Sequence, residues 1–119
     1  MMINTNELYM MQLNYRIHKI LMQLGICQSL KGYKFIYHGI SIILDYPDEE
    51  IYITKDLYIR LAKQFNCNPW SIERNIRTAI KKIPISEYRN IVFPLSGDIH
   101  YTNKEFLLHI ARYIKIGGL

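Results

Sequence analysis

The sequence predicts an all-α domain of six helices, with a helix-turn-helix formed by helices near 54–65 and 69–83. Three observations support this fold class. Apolar residues recur three and four positions apart along most of the chain, which is the spacing of one helix face. Strict alternation of apolar and polar residues, the pattern of a strand, is short wherever it occurs. The four prolines fall at the edges of the periodic segments, where they can begin or end a helix.

The first two helices fill the N-terminal part of the chain. We expect the first from about Asn6 to Leu24, because Gly25 follows as a stop signal, and the second from about Leu30 to Leu44. The acidic, proline-containing segment 45–50 then favours a turn. The inward residues expected of the first helix are Leu8, Leu13, Ile17, Ile20, Leu21 and Leu24. Those expected of the second helix are Tyr33, Ile36, Tyr37, Ile40, Ile43 and Leu44.

The third and fourth helices are separated by a short turn. The third should begin near Thr54, whose hydroxyl can cap it. Asn68 can cap the fourth helix, and Pro69 suits its first position, where the missing N–H costs nothing. This helix should end near Ile83, before Pro84. The residues expected to be buried are Leu57, Leu61, Ala62 and Phe65 in the third helix, and Ile72, Ile76, Ala79, Ile80 and Ile83 in the fourth.

The C-terminal part of the sequence predicts two helices. The fifth is short, over 86–94, and is limited by Pro94 and Gly97, while the signals for the sixth are clearer. Thr102 and Glu105 have the spacing of a capping box, in which each side chain satisfies an exposed amide of the first turn. The segment 117–118, Gly-Gly, should end the helix. Its expected apolar face comprises Phe106, Leu107, Ile110, Ala111 and Ile114.

The length of 119 residues fits a single domain, and we expect residues 1–119 to form one. Such a chain can bury about two-thirds of its unfolded surface and needs no disulfide to fold. No apolar run approaches a membrane span, and the first residues lack the pattern of an export signal, so we expect a cytoplasmic, nucleoid-associated protein. Cys27 and Cys67 are therefore expected to be reduced packing residues.

Nothing in the sequence indicates an enzyme, a metal or a cofactor. Glycine loops that cradle phosphates, nucleophile motifs and paired catalytic carboxylates are missing from the sequence. The histidines also lack metal-ligand spacing, among themselves or with the cysteines, and we expect each at the surface or half-buried. They are His18, His38, His100 and His109.

The positive charge is concentrated in the middle of the chain. Residues 51–83 carry seven Lys/Arg and two Asp/Glu, a net charge of +5, whereas 1–50 have −1 and 84–119 have +1. The whole chain has +5, so the excess lies in 33 residues. A basic segment in an otherwise balanced domain is expected where a protein contacts the phosphates of nucleic acid.

The segment Thr54–Ile83 has the dimensions of a helix-turn-helix, and its second helix presents cations at helical spacing. An arginine there can donate two hydrogen bonds to guanine, and Glu73 can accept from a cytosine amino group. Basic surface helices also occur merely for solubility, so a helical module without DNA binding is the alternative. The outward residues expected are Trp70, Ser71, Glu73, Arg74, Arg77, Thr78 and Lys81.

Several segments match one known family, in the same order. They are 24–33 (Leu-Gly-Ile-Cys-Gln-Ser-Leu-Lys-Gly-Tyr), 53–58 (Ile-Thr-Lys-Asp-Leu-Tyr), 61–66 (Leu-Ala-Lys-Gln-Phe-Asn), 71–80 (Ser-Ile-Glu-Arg-Asn-Ile-Arg-Thr-Ala-Ile) and 102–106 (Thr-Asn-Lys-Glu-Phe). From about Leu8 to Ile114 the chain resembles the C-terminal DNA-binding domain of the sporulation-initiation response regulator, stage zero sporulation protein A. The pairing of 61–66 with 71–80 is more specific than the first segment alone.

This resemblance implies a sequence-specific transcription regulator whose fourth helix enters the major groove of double-stranded DNA at a promoter box. Its members bind as tandem copies. Matched by position, the base-reading residues are Glu73, Arg74 and Arg77, with Thr78 beside them. The backbone contacts implied are Lys63, Ser71 and Lys81.

The sequence departs from the family in three places. A phosphoacceptor receiver domain normally precedes the family's domain; this chain is too short to hold one, and Met-Met-Ile-Asn favours a natural start. Pro69 and Trp70 replace small residues at the beginning of the recognition helix. Segment 82–101, which in the family helps to contact RNA polymerase, is shorter and dissimilar.

A protein-interaction module is the main alternative function. Such a module would keep the fold and modulate a related regulator without reading DNA. An outward Trp70 would suit this role, because large aromatic side chains are common anchors of protein interfaces.

Overall fold

The computed structural model describes residues 4–46, 53–93 and 101–117, and within these ranges it is all-α. A π-helical turn over Ile53–Leu57 runs directly into the third helix. The acidic turn expected at 45–50 lies mostly outside the described residues, as do Pro94, Gly97, His100 and Gly118. The six α-helices are α1 Thr5–Gln23, α2 Lys31–Asp45, α3 Tyr58–Gln64, α4 Pro69–Lys81, α5 Glu87–Val92 and α6 Asn103–Lys115. The predicted fold class is confirmed.

The helix ends follow from local sequence signals. The Asn68 side chain accepts a hydrogen bond from the Ser71 amide at 2.7 Å, with Pro69 in the first turn of α4. At α6, Thr102 accepts from the Glu105 amide at 3.1 Å and Glu105 accepts in return from the Thr102 amide, which completes the capping box. Gly25, just after α1, has φ +86°, a conformation that glycine adopts without strain.

Helix α2 occupies the centre of the bundle and contacts α1, α4 and α6. Because it is enclosed on several sides, it buries residues around much of its circumference, including Phe35, which the sequence did not single out. Ile36 and Ile40 are fully buried at the middle of the domain. The core is therefore organised around α2, and α4 packs on it with its apolar face.

Three local expectations are wrong, and α4 ends two residues before the approximate boundary expected for it. Leu8 is exposed, since α1 is longer than the helices it packs against and its buried positions begin at Leu13. Thr54 lies inside the π-helical turn rather than before it. Helix α4 ends at Lys81, because the residue before a proline avoids the helical conformation and the chain must straighten before Pro84. The two cysteines, Cys27 and Cys67, are exposed free thiols and do not pack in the core.

A close contact between two helices lies at Gly32 of α2. A β-carbon built at this residue would be 2.3 Å from the backbone oxygen of Asn75 and 2.6 Å from the β-carbon of Ala79. Both atoms belong to α4, and the first is backbone that cannot rotate away. Gly32 thus allows α4 to approach α2 more closely than any other residue would permit.

We expect Gly32→Ala to lower the free energy of unfolding by about 2 kcal/mol or more, because the added methyl group forces α2 and α4 apart. Gly39→Ala is the matched control in the same helix. Its added β-carbon would make only ordinary contacts, 3.6 Å from Leu57, so the better helix propensity of alanine should leave stability unchanged or raise it by about 0.5–1 kcal/mol. Urea unfolding of both variants measures the difference, and equal changes would contradict the role of Gly32.

Candidate nucleic-acid interface

Helices α3 and α4 are joined by a four-residue turn over 65–68. Asn66 adopts a positive φ of 53°, which asparagine tolerates better than most residues, and reverses the chain. The Cys67 amide donates to the Ala62 carbonyl at 2.9 Å and closes the end of α3. The helix-turn-helix predicted from the sequence is therefore present, with α4 as its second helix.

Helix α4 has two chemically different faces. Ile72, Ile76 and Ala79 are buried against the core, while Ile80 is half-buried beside them. At 100° per residue, the opposite face spans an arc of about 100°. Its exposed residues are Trp70, Arg74, Arg77, Thr78 and Lys81. A 13-residue helix with three cations on one exposed face has the size and charge to enter a DNA major groove.

The arginines of this face are held by neighbouring side chains. Arg77 forms an ion pair with Glu73, one helical turn earlier. The guanidinium of Arg74 lies 5.0 Å from the ring centre of Trp70, a cation–π distance. Both contacts restrict the rotamers of long, exposed side chains before any ligand arrives. Trp70 itself is 65% exposed, as the sequence predicted.

The remaining predicted site residues differ in accessibility. Thr78 and Lys81 are exposed on α4, and Lys63 is exposed on α3. Ser71 is half-buried, and its hydroxyl and carbonyl both accept hydrogen bonds from the Asn75 amide, at 3.3 and 2.8 Å. Ser71 lies at the edge of the outward face. Its backbone amide is engaged by the Asn68 cap, so its hydroxyl is the group that could reach a phosphate there.

Asn103, at the beginning of α6, ties α4 to the rest of the domain. Its side-chain amide donates to the backbone oxygen of Glu73 at 2.9 Å and to the Tyr58 hydroxyl at 3.2 Å. Burial raises the pKa of Tyr58, with the Asn103 hydrogen bond acting in the opposite direction. No sequence signal singled out Asn103, because its partners are 30 and 45 residues away.

Two classes of site find no support in the part of the chain that the structure describes. Histidine, cysteine and acidic side chains do not gather there in groups of three that could hold a metal ion. No helix among these residues is long and apolar enough to cross a membrane. His18 is exposed, and His38 and His109 are half-buried, as expected.

We expect Asn103→Ala to lower the free energy of unfolding by about 1–2 kcal/mol, since it removes two hydrogen bonds between buried groups. Asn90→Ala on α5 is the control, because Asn90 is exposed and should change stability by less than about 0.5 kcal/mol. Thermal unfolding followed by circular dichroism compares the two. Indistinguishable variants would show that Asn103 does not anchor α4.

Comparison with known proteins agrees with this geometry. The family model described as "Sporulation initiation factor Spo0A C terminal" matches residues 17–114, well over half of the chain. The match includes both helices of the helix-turn-helix and the whole of the cationic face. This family is a DNA-binding regulatory domain and not an enzyme family. The chain therefore belongs to the family of the C-terminal, DNA-binding domain of the sporulation initiation factor Spo0A.

Proposed function

We propose that this protein is a sequence-specific transcription regulator that binds double-stranded DNA with α4 in the major groove. The observation that carries the proposal is the exposed face of α4, on which Arg74, Arg77 and Lys81 lie together opposite a buried apolar face. The net charge of +5 in residues 51–83 adds attraction to phosphates on the same part of the domain.

In this proposal the two arginines read bases. Each guanidinium donates to O6 and N7 of a guanine, the commonest specific contact in the major groove. Arg77 must exchange its ion pair with Glu73 for the base, which costs little because an exposed pair of this spacing contributes about 0.3–0.5 kcal/mol. Glu73 is then free to accept from a cytosine amino group, with Thr78 beside it on the groove side.

Phosphate contacts supply most of the affinity. Lys63 lies at the end of α3, next to the turn that leads into α4, and Lys81 is the last residue of α4, so the two lysines can reach different phosphates along the groove. The N-terminus of α4 also favours an anion, and the Ser71 hydroxyl at its first turn is a group that can donate to a phosphate.

Further parts of the proposal concern assembly and location. We propose that tandem copies bind one promoter, with two such domains side by side. We also propose that RNA polymerase is a partner, contacted by residues of segment 82–101. We also propose a cytoplasmic protein associated with the nucleoid.

Substituting either base-reading arginine tests the proposal. We expect Arg74→Ala and Arg77→Ala each to weaken binding to a duplex carrying the family's promoter box by about 1–3 kcal/mol, and to weaken binding to a scrambled duplex much less. Fluorescence anisotropy measures both affinities. The specific loss follows because the base contacts disappear while the lysine–phosphate contacts remain.

The matched control is Arg112→Ala, an equal loss of charge at an exposed position of α6 outside the helix-turn-helix. It should reduce both affinities slightly and equally. Equal losses on box and scrambled duplex for Arg74→Ala and Arg77→Ala would rule out base reading. Their fold is not at risk, since both side chains are exposed.

A protein-interaction module remains the alternative function, and one observation favours it: Trp70 is 65% exposed on the outward face. Salt dependence separates the two functions. For the two lysine–phosphate contacts proposed here, DNA affinity should fall by about tenfold between roughly 50 and 200 mM salt. An apolar interface anchored by Trp70 would change little over this range, so salt-insensitive association with a related regulator, without DNA binding, would favour the alternative.

A further inference from the structure

A concave surface lies beside α4, the proposed recognition helix. It is a solvent-open cleft of about 1140 Å³ bounded by α4, α5 and the beginning of α6, here called the α4–α6 cleft. Its volume is sufficient for a drug-sized ligand. The described residues that line it and matter here are Ile83, Arg89, Phe93, Tyr101, Lys104 and Phe106.

The floor of the cleft is aromatic. Phe93 and Phe106 are buried with their rings stacked at a centroid distance of 5.4 Å, and the Tyr101 ring lies 4.9 Å from that of Phe93. Half-buried Ile83 extends this apolar surface towards α4. Phe93 and Phe106 are themselves almost completely buried, so a flat apolar group placed here would cover the half-buried Tyr101 and Ile83, which is a favourable contact.

The described walls of the cleft carry more positive than negative charge. They contain four cations, Arg77, Lys81, Arg89 and Lys104, against one carboxylate, Glu73. That carboxylate is already paired with Arg77. A surplus of three positive charges therefore faces a partly enclosed apolar space, where charges are screened less than on an open surface.

Arg89 is the most informative of these cations. The residue is only 8% exposed, and its backbone amide donates to the Ser86 hydroxyl at 3.0 Å. Within residues 4–46, 53–93 and 101–117, no acceptor or carboxylate is found for its guanidinium. Among the described residues, its guanidinium nitrogens are not among the buried atoms that lack a partner, so they reach solvent and can donate to an anion that enters the cleft.

We propose that the α4–α6 cleft binds a small anionic ligand with a flat, aromatic body. The anionic group, a carboxylate, phosphate or sulfonate, pairs with Arg89 and Lys104, and the aromatic body lies against Phe93 and Tyr101. The cleft adjoins the base-reading face and shares four residues with that side of α4: Trp70, Glu73, Arg77 and Lys81. If the proposed DNA binding holds, ligand and DNA therefore weaken each other's binding, and by the same factor.

The same anionic chemistry could come from a phosphate of the DNA backbone. A duplex phosphate approaches from outside the protein surface, whereas Arg89 is recessed to 8% exposure beside an aromatic floor. These features favour a free ligand, and the experiment below separates the two sources.

The first measurement titrates the full chain, without DNA, with anilinonaphthalene sulfonate, a fluorescent probe that combines an aromatic body with an anionic group. We expect saturable binding to one site. Arg89→Met and Lys104→Ala should each weaken it by about tenfold or more, because each removes a charge-assisted contact to the sulfonate. The matched controls are Arg112→Met and Lys31→Ala, exposed cations outside the cleft, which should bind the probe as the unmodified protein does.

Circular dichroism verifies that each variant is folded. If Arg89→Met unfolds, Lys104→Ala decides, because Lys104 is exposed and its loss does not disturb the core. Equal weakening in the controls, unchanged affinity in Lys104→Ala, or no saturable binding at all would overturn the proposal.

The second measurement determines the source of the anion. Arg89→Met should keep its affinity for duplex DNA within about twofold, since a recessed guanidinium makes no backbone contact. A loss of DNA affinity as large as the loss of probe affinity would assign Arg89 to a DNA phosphate and overturn the small-ligand proposal. Because the probe titration contains no DNA, its outcome is independent of whether the protein reads a promoter.

Discussion

The close approach of α4 to α2 at Gly32 is the constraint on which the rest of the domain depends. The Asn75 carbonyl and Ala79 lie so close to Gly32 that a β-carbon there would overlap them, so α4 packs directly on the α2 backbone. Ile72 and Ile76 then enter the core completely, which sets the rotation of α4 about its own axis. Every outward side chain of the recognition helix takes its direction from that rotation. Because Gly32 has no side chain, it fixes the position of α4 and, with it, the direction of the cationic face on the far side of that helix.

The recognition helix is also held at points outside this contact. Asn68 caps its first turn, and Asn103 of α6 bonds to the Glu73 backbone near its middle. On the outward side, Trp70 and Glu73 each hold one arginine. Ordering these long side chains in advance reduces the entropy lost when they bind a partner. The face proposed to read DNA is therefore rigid in its backbone and partly preorganised in its side chains.

The distribution of charge along the chain differs from its distribution in space. Residues 51–83 contain an excess of +5, which is carried by the π-helical turn, α3, α4 and Lys82 directly after α4. Residues 84–119 are nearly balanced, yet two of their cations, Arg89 and Lys104, face the α4–α6 cleft and enlarge the positive region beside α4. Their acidic counterpart Glu105 is engaged in the cap of α6 instead. A sum over sequence windows cannot reveal such a separation, because it ignores the direction in which each side chain points.

The sequence by itself determined the features that depend on local interactions. The caps at Asn68 and Thr102, the stop at Gly25 and the apolar face of α4 all rest on residues within a few positions of one another, so periodicity and turn chemistry predict them. The family followed too, since its motifs are local runs of residues. Only the tertiary structure decided the exposure of Leu8, the burial of Arg89 and the anchoring role of Asn103, because each depends on how far a neighbouring helix extends or on partners far along the chain.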